Sequence, residues 1–128
     1  MSALPVTSVT AGLLGLLALV LAIPVTVLRF RTGRSLGEDA PGLQVGVRSH
    51  ANFAEYAPIG LILLAIAEHD LGSSRFVLGL AVALVLGRVM HPIGMRMRPP
   101  NVFRAGGIIL TWAMIGVASL HALTHLSG

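Results

Sequence analysis

Four apolar stretches alternate with short polar segments along the chain. They cover about residues 4–28, 45–67, 75–94 and 102–124. Roughly 20 apolar residues wound as a helix span the hydrocarbon core of a bilayer. Backbone groups in lipid must be satisfied within the segment, so each stretch reads as a transmembrane helix. The fold class this predicts is all-α: an integral membrane four-helix bundle of up-down topology, in one domain over 1–128. The first stretch has no positively charged segment before it and is too long for a signal peptide core, so it reads as a retained helix. Pro24 should kink its last turn. The connections are Thr32 to about Gln44, Glu68 to Arg75, and Arg96 to Asn101 with its Pro99-Pro100 pair. Ser73 or Ser74 is placed to cap the third helix and Asn101 the fourth.

Composition excludes a soluble reading. Apolar residues make up 55% of the 128 and charged ones only 11%, too little polar surface to cover a domain of this size. Lysine is absent, so every positive side chain is an arginine. Arg29, Arg31, Arg34 and Arg48 flank the first connection, and Arg88, Arg96, Arg98 and Arg104 flank the third. The opposite face has only Arg75. That asymmetry predicts both basic loops in the cytoplasm and both termini outside. Arginines in short loops between apolar runs are not the stripe of a nucleic-acid binder, so the expected surroundings are a lipid bilayer and no nucleic acid. Cysteine is also absent. Any thiol chemistry would therefore use a bound small thiol, not a protein side chain.

The polar start of the second helix carries the chemistry. Arg48, Asn52, Glu55 and Tyr56 stand at i, i+4, i+7 and i+8 and so share one stripe, with His50 turned away from it. Glu55 lies roughly 10 Å deeper than Arg48 along the helix. A charge at the bilayer centre costs roughly 2.5–3.5 kcal/mol on insertion scales, so this stripe must face protein, water or a ligand. A purely structural network, with Arg48 paired to Glu55, would explain any one residue; the four together favour a site. Arg88 and His91 form a second cluster at i, i+3 on the third helix, where Arg88 either snorkels to the headgroups or serves a ligand. Arg104 opens the fourth helix. His121 and His125 have the spacing of a metal pair, but with no third ligand nearby they read as a polar patch, and no metal is expected.

The string Arg48-x-x-x-Asn52-x-x-Glu55-Tyr56-x-Pro58 resembles the second-helix signature of the MAPEG superfamily, which includes microsomal glutathione transferases and leukotriene C4 synthase. The resemblance covers essentially the whole chain. It implies a homotrimer that binds glutathione as co-substrate in clefts between subunits, with no metal. Arg48 would then take a carboxylate of the tripeptide and Glu55 its glutamyl amino group, with Asn52 and Tyr56 beside them. The third-helix run from Arg88 to Met95 aligns with the family's glutathione-contacting segment, but His91 and Met95 stand where the leukotriene branch has two tyrosines. Arg104 corresponds to the arginine that activates the thiol, and Arg29 or Arg31 would close the site from the end of helix one.

The activity implied is that of a membrane-bound glutathione-dependent transferase or peroxidase. Its substrates would be hydrophobic electrophiles or lipid hydroperoxides, as in detoxification. The same superfamily includes a lipid-presenting member, so a non-catalytic glutathione- or lipid-binding protein is the alternative. A transporter would call for a pair of broken helices, which the sequence lacks.

Overall fold

The four apolar runs become α1 (Pro5–Thr32), α2 (Leu43–Leu71), α3 (Arg75–Met95) and α4 (Val102–Thr124) in a computed structural model that describes residues 2–125. All four are long and apolar enough to cross a membrane. Contacts at the helix ends fix the up-down order. Glu68, late in α2, reaches Val6 at the start of α1. His121, late in α4, reaches Asp70 late in α2 and lies against Phe76 early in α3. The helix pair α3–α4 packs most closely, and among the described residues α1 touches α2 and α3 but not α4.

Two helices, α1 and α2, run past the ends that hydropathy indicates, whereas α3 and α4 match them to within a residue. Hydropathy marks the stretch that sits in hydrocarbon, whereas a helix stops where its backbone conformation changes. Past Arg29 and Arg31, α1 continues to Gly33, whose φ of 65° lets its N–H turn back to the carbonyls of Arg29 and Phe30. At the far end, α2 runs through Glu68, His69 and Asp70, a segment expected to be loop, before Gly72 ends it. Two caps fall where the sequence places them: the Ser74 side chain accepts from the N–H of Val77, and Asn101 Oδ1 accepts from the N–H of Arg104. Pro24, Pro58 and Pro92 lie inside continuous helices, which neighbouring helices make tolerable in a membrane protein.

Glu68 ties three helix ends together. The start of α1 has no acidic residue and no side-chain cap of its own. The Glu68 carboxylate, 2% exposed, accepts from the N–H groups of Val6 (2.8 Å) and Thr7 (2.7 Å) and from the Ser73 hydroxyl (2.9 Å). It thus caps α1 from 60 residues away and meets the positive end of that helix's dipole. Glu68→Ala strands three donors, so it should cost about 3 kcal/mol and lower Tm in detergent by roughly 10 °C, read by thermal unfolding of the purified protein.

The core is a seam of Leu14, Leu21, Leu64, Leu84, Met114 and Ala118 between the helices. Most of α1 faces outward through Val9, Leu13, Leu16, Leu19, Val20 and Ile23, as suits a helix bathed in lipid. Toward the α3–α4 turn, two glycines bring the backbones of those helices together. A Cβ at Gly87 would stand 2.5 Å from Thr111 Oγ1, and one at Gly107 would stand 2.6 Å from the His91 nitrogen. These contacts set the spacing of the polar cluster described next.

Candidate functional site

Three helices converge on the side chain of Arg88, which is 1% exposed. From α2, Asn52 accepts from Nη1 through its Oδ1 at 2.7 Å and its backbone carbonyl at 3.3 Å. From α4, the Thr111 hydroxyl accepts from Nε at 3.0 Å while donating to the carbonyl of Gly107 at 2.9 Å. The guanidinium carbon lies 5.3 Å from the centre of the Tyr56 ring, a cation–π arrangement. Nη2 has no partner.

Among the described residues no carboxylate pairs with this buried cation. The ion pairs among the described residues are Arg34–Asp39 on the first loop and His121–Asp70 at the other end of the bundle. A guanidinium needs an anion to repay its burial. Here it is held by neutral acceptors and a ring face, with one nitrogen bare. Two more buried polar atoms lack partners at this end: Ser49 Oγ on α2 and His91 Nδ1 on α3. Native structures pair nearly all such groups; the fourth such atom among the described residues is Thr7 Oγ1, near the start of α1.

The stripe of helix two divides along its length. Asn52 and Tyr56 turn inward onto Arg88. Arg48 and Glu55 turn outward and are exposed, and among the described residues neither pairs with the other. Snorkelling of Arg88 to the headgroups does not occur: α2 and α4 hold it inside. His91 is buried. It lines an open pocket of about 430 Å³ with Asn101, Arg104 and Ile108, so Arg104 and His91 border one space. Arg29 is committed elsewhere, donating to the carbonyls of Arg34 (3.3 Å) and Gly37 (3.1 Å) in its own loop. Arg31 is exposed.

Thr111 is the member of the cluster that sequence reasoning missed. Its signal was the pair Gly87 and Gly107, small residues that let a hydroxyl one turn along reach across to the next helix. At the opposite end, His121 Nε2 lies 3.2 Å from Asp70 Oδ2, and its ring is tilted against that of His125 with centroids 4.0 Å apart. His121 thus links α4 to Asp70 of α2, while among the described residues His125 contacts only its own helix end. A larger open groove of about 670 Å³ runs between α1 and α3 past Val9, Leu13, Val82 and Leu86; its lining is almost wholly apolar and includes none of the Arg88 cluster.

The sequence matches the model of the MAPEG family over residues 7–124. The chain belongs to the MAPEG family. It is also 29% identical over 122 residues to the inner membrane protein YecN of Escherichia coli K12, an alignment covering 94% of this chain and 92% of that protein. The same protein from Escherichia coli O6:H1 matches equally. No solved structure matches the chain. Family membership places a four-helix membrane bundle within a group concerned with glutathione and eicosanoids.

Proposed function

We propose that this protein is a glutathione-dependent transferase or peroxidase that acts on hydrophobic electrophiles or lipid hydroperoxides. The observation that carries the reading is the buried Arg88 guanidinium, which among the described residues meets no carboxylate and keeps one nitrogen unpartnered. Glutathione is a net anion with two carboxylates, an amino group and a thiol. A buried arginine in a fixed fork suits a carboxylate; Glu55 suits the amino group, and Arg48 suits the second carboxylate. Arg104 at the mouth of the neighbouring cavity suits the sulfur, because a guanidinium beside it favours thiolate over thiol. The thiolate then attacks an acceptor that arrives through the bilayer.

The same reading explains why Arg48 and Glu55 are exposed on one subunit. An ionised carboxylate and an arginine on a membrane helix are costly facing lipid, and a neighbouring copy would cover them. The assembly proposed is a homotrimer with glutathione between subunits. It sits in the bacterial inner membrane, as the name of the Escherichia coli relative suggests, with both basic loops in the cytoplasm.

Detergent-purified protein should conjugate glutathione to chlorodinitrobenzene or reduce cumene hydroperoxide, and native mass spectrometry should give a particle of three chains. Glu55→Gln should weaken glutathione binding about tenfold or more. Binding without turnover on either acceptor would make the protein a non-catalytic glutathione binder. No binding and no turnover would remove the reading.

A further inference from the structure

The open groove between α1 and α3 carries a pattern beyond its apolarity. Leu78, Val82 and Leu86 form its α3 wall, and Val9 and Leu13 line it from α1. All five side chains are exposed on the outside of the bundle. Arg75, Leu78, Val82 and Leu86 stand at i, i+3, i+7 and i+11, so an arginine heads the stripe that makes the α3 wall. From Arg75 to Leu86 the helix rises about 16 Å. That is close to the hydrocarbon depth of one leaflet, half of roughly 30 Å. The groove therefore runs from headgroup level, at the α2–α3 turn, to near the middle of the membrane.

The two hydroxyl side chains in its lining spend their protons internally. Thr10 Oγ1 donates to the Val6 carbonyl at 2.7 Å, and the Ser73 hydroxyl donates to Glu68 at 2.9 Å. Along its length the groove thus presents hydrocarbon, and charge enters only at its head. Arg75 is exposed and, among the described residues, makes no ion pair. The carboxylates of that end are committed, Glu68 to the start of α1 and to Ser73, Asp70 to His121. A negative head finds a free guanidinium there, whereas an ammonium finds no free carboxylate. No residue of α2 lines the groove, so it is separate from the Arg48 and Glu55 face proposed to meet a neighbouring subunit.

We propose that the α1–α3 groove holds one acyl chain of an anionic phospholipid, with the lipid phosphate on Arg75. Inside a bilayer, withdrawal of apolar surface from water drives nothing, because the alternative surroundings are other lipid tails. The hold on the chain comes from contact with two helix walls at once. The choice of lipid comes from the head, where a guanidinium fork can take two phosphate oxygens. One arginine at a membrane surface favours an anionic lipid about fivefold. The site is independent of the thiol reading: it lies on the other side of α3 from the Arg88 cluster and shares no residue with it.

The test uses the full-length protein in detergent, offered phosphatidylglycerol and phosphatidylcholine of the same acyl chains at equal concentration. Native mass spectrometry counts the lipid retained per chain. The wild type should keep one phosphatidylglycerol per chain and prefer it about fivefold over phosphatidylcholine. Arg75→Gln should lose that preference. Val82→Trp fills the groove from an exposed position, so it should retain neither lipid while its thermal unfolding matches wild type. Leu13→Trp, from the facing wall, should behave alike. A wild type that retains no lipid, a preference that survives Arg75→Gln, or retention that survives both tryptophan variants overturns the proposal. A wild type without lipid whose oligomer separates on Val82→Trp overturns it too, and assigns the groove to a second copy of the chain.

Discussion

Replacing Arg88 with methionine should leave the bundle folded and remove glutathione binding. The stability half of the expectation follows from the absence of a counter-ion. Burying a guanidinium without a carboxylate is costly, and exchange of a buried charged group for an apolar one of similar volume is often neutral or stabilising. The change frees Asn52 Oδ1 and one lone pair of Thr111 Oγ1, a loss that offsets the gain. Stability in detergent should stay within about 2 kcal/mol of wild type. The binding half follows from the bare Nη2. A charge-assisted pair in a desolvated pocket is worth several kcal/mol when truncated, so affinity should fall about a hundredfold or more. Calorimetry and thermal unfolding on the same preparation check both halves. A variant that unfolds would show that Arg88 is a structural keystone.

Arg104→Ala should have the opposite signature, with glutathione affinity nearly kept and turnover reduced about a hundredfold at neutral pH. Arg104 is exposed at the start of α4, and its backbone N–H is held by the Asn101 cap, so removing the side chain does not disturb the helix. On the proposed reading, what is lost is the positive charge beside the bound thiol. A nearby cation lowers the pKa of an acidic group by about 1–3, and near neutrality that sets the thiolate fraction within a factor of ten to a thousand. Activity should recover as pH rises, with the profile displaced upward by roughly 2. Arg104→Lys should restore part of the rate, since charge matters more than shape there. An alanine variant with wild-type rate at neutral pH would take Arg104 out of the chemistry.

The four spans are legible in the sequence because lipid imposes length and apolarity on every turn of a helix. Helix ends are less so. Glu68, His69 and Asp70 look like loop residues, yet they stay helical because nothing before Gly72 changes the backbone. The use of Glu68 was hidden for a different reason: its partners, Val6 and Thr7, are backbone groups 60 residues away, and no side-chain pattern announces a backbone donor. The site shows the same division. Arg48, Asn52, Glu55 and Tyr56 stand out because helical spacing aligns them. Which of them turn inward depends on where α3 lies, and that is fixed by Gly87 and Gly107 against α4, contacts between backbones that periodicity does not encode. Thr111 joins the cluster by the same route. Arg29 looked like a site residue by its position at the membrane boundary, but two loop carbonyls lie closer to hand.

The most direct test of the central claim is a calorimetric titration of the detergent-purified wild type with glutathione, alongside Arg88→Met. The cluster around Arg88 predicts saturable binding by the wild type and its loss in the folded variant. Equal binding by both proteins, or none by the wild type, would contradict it.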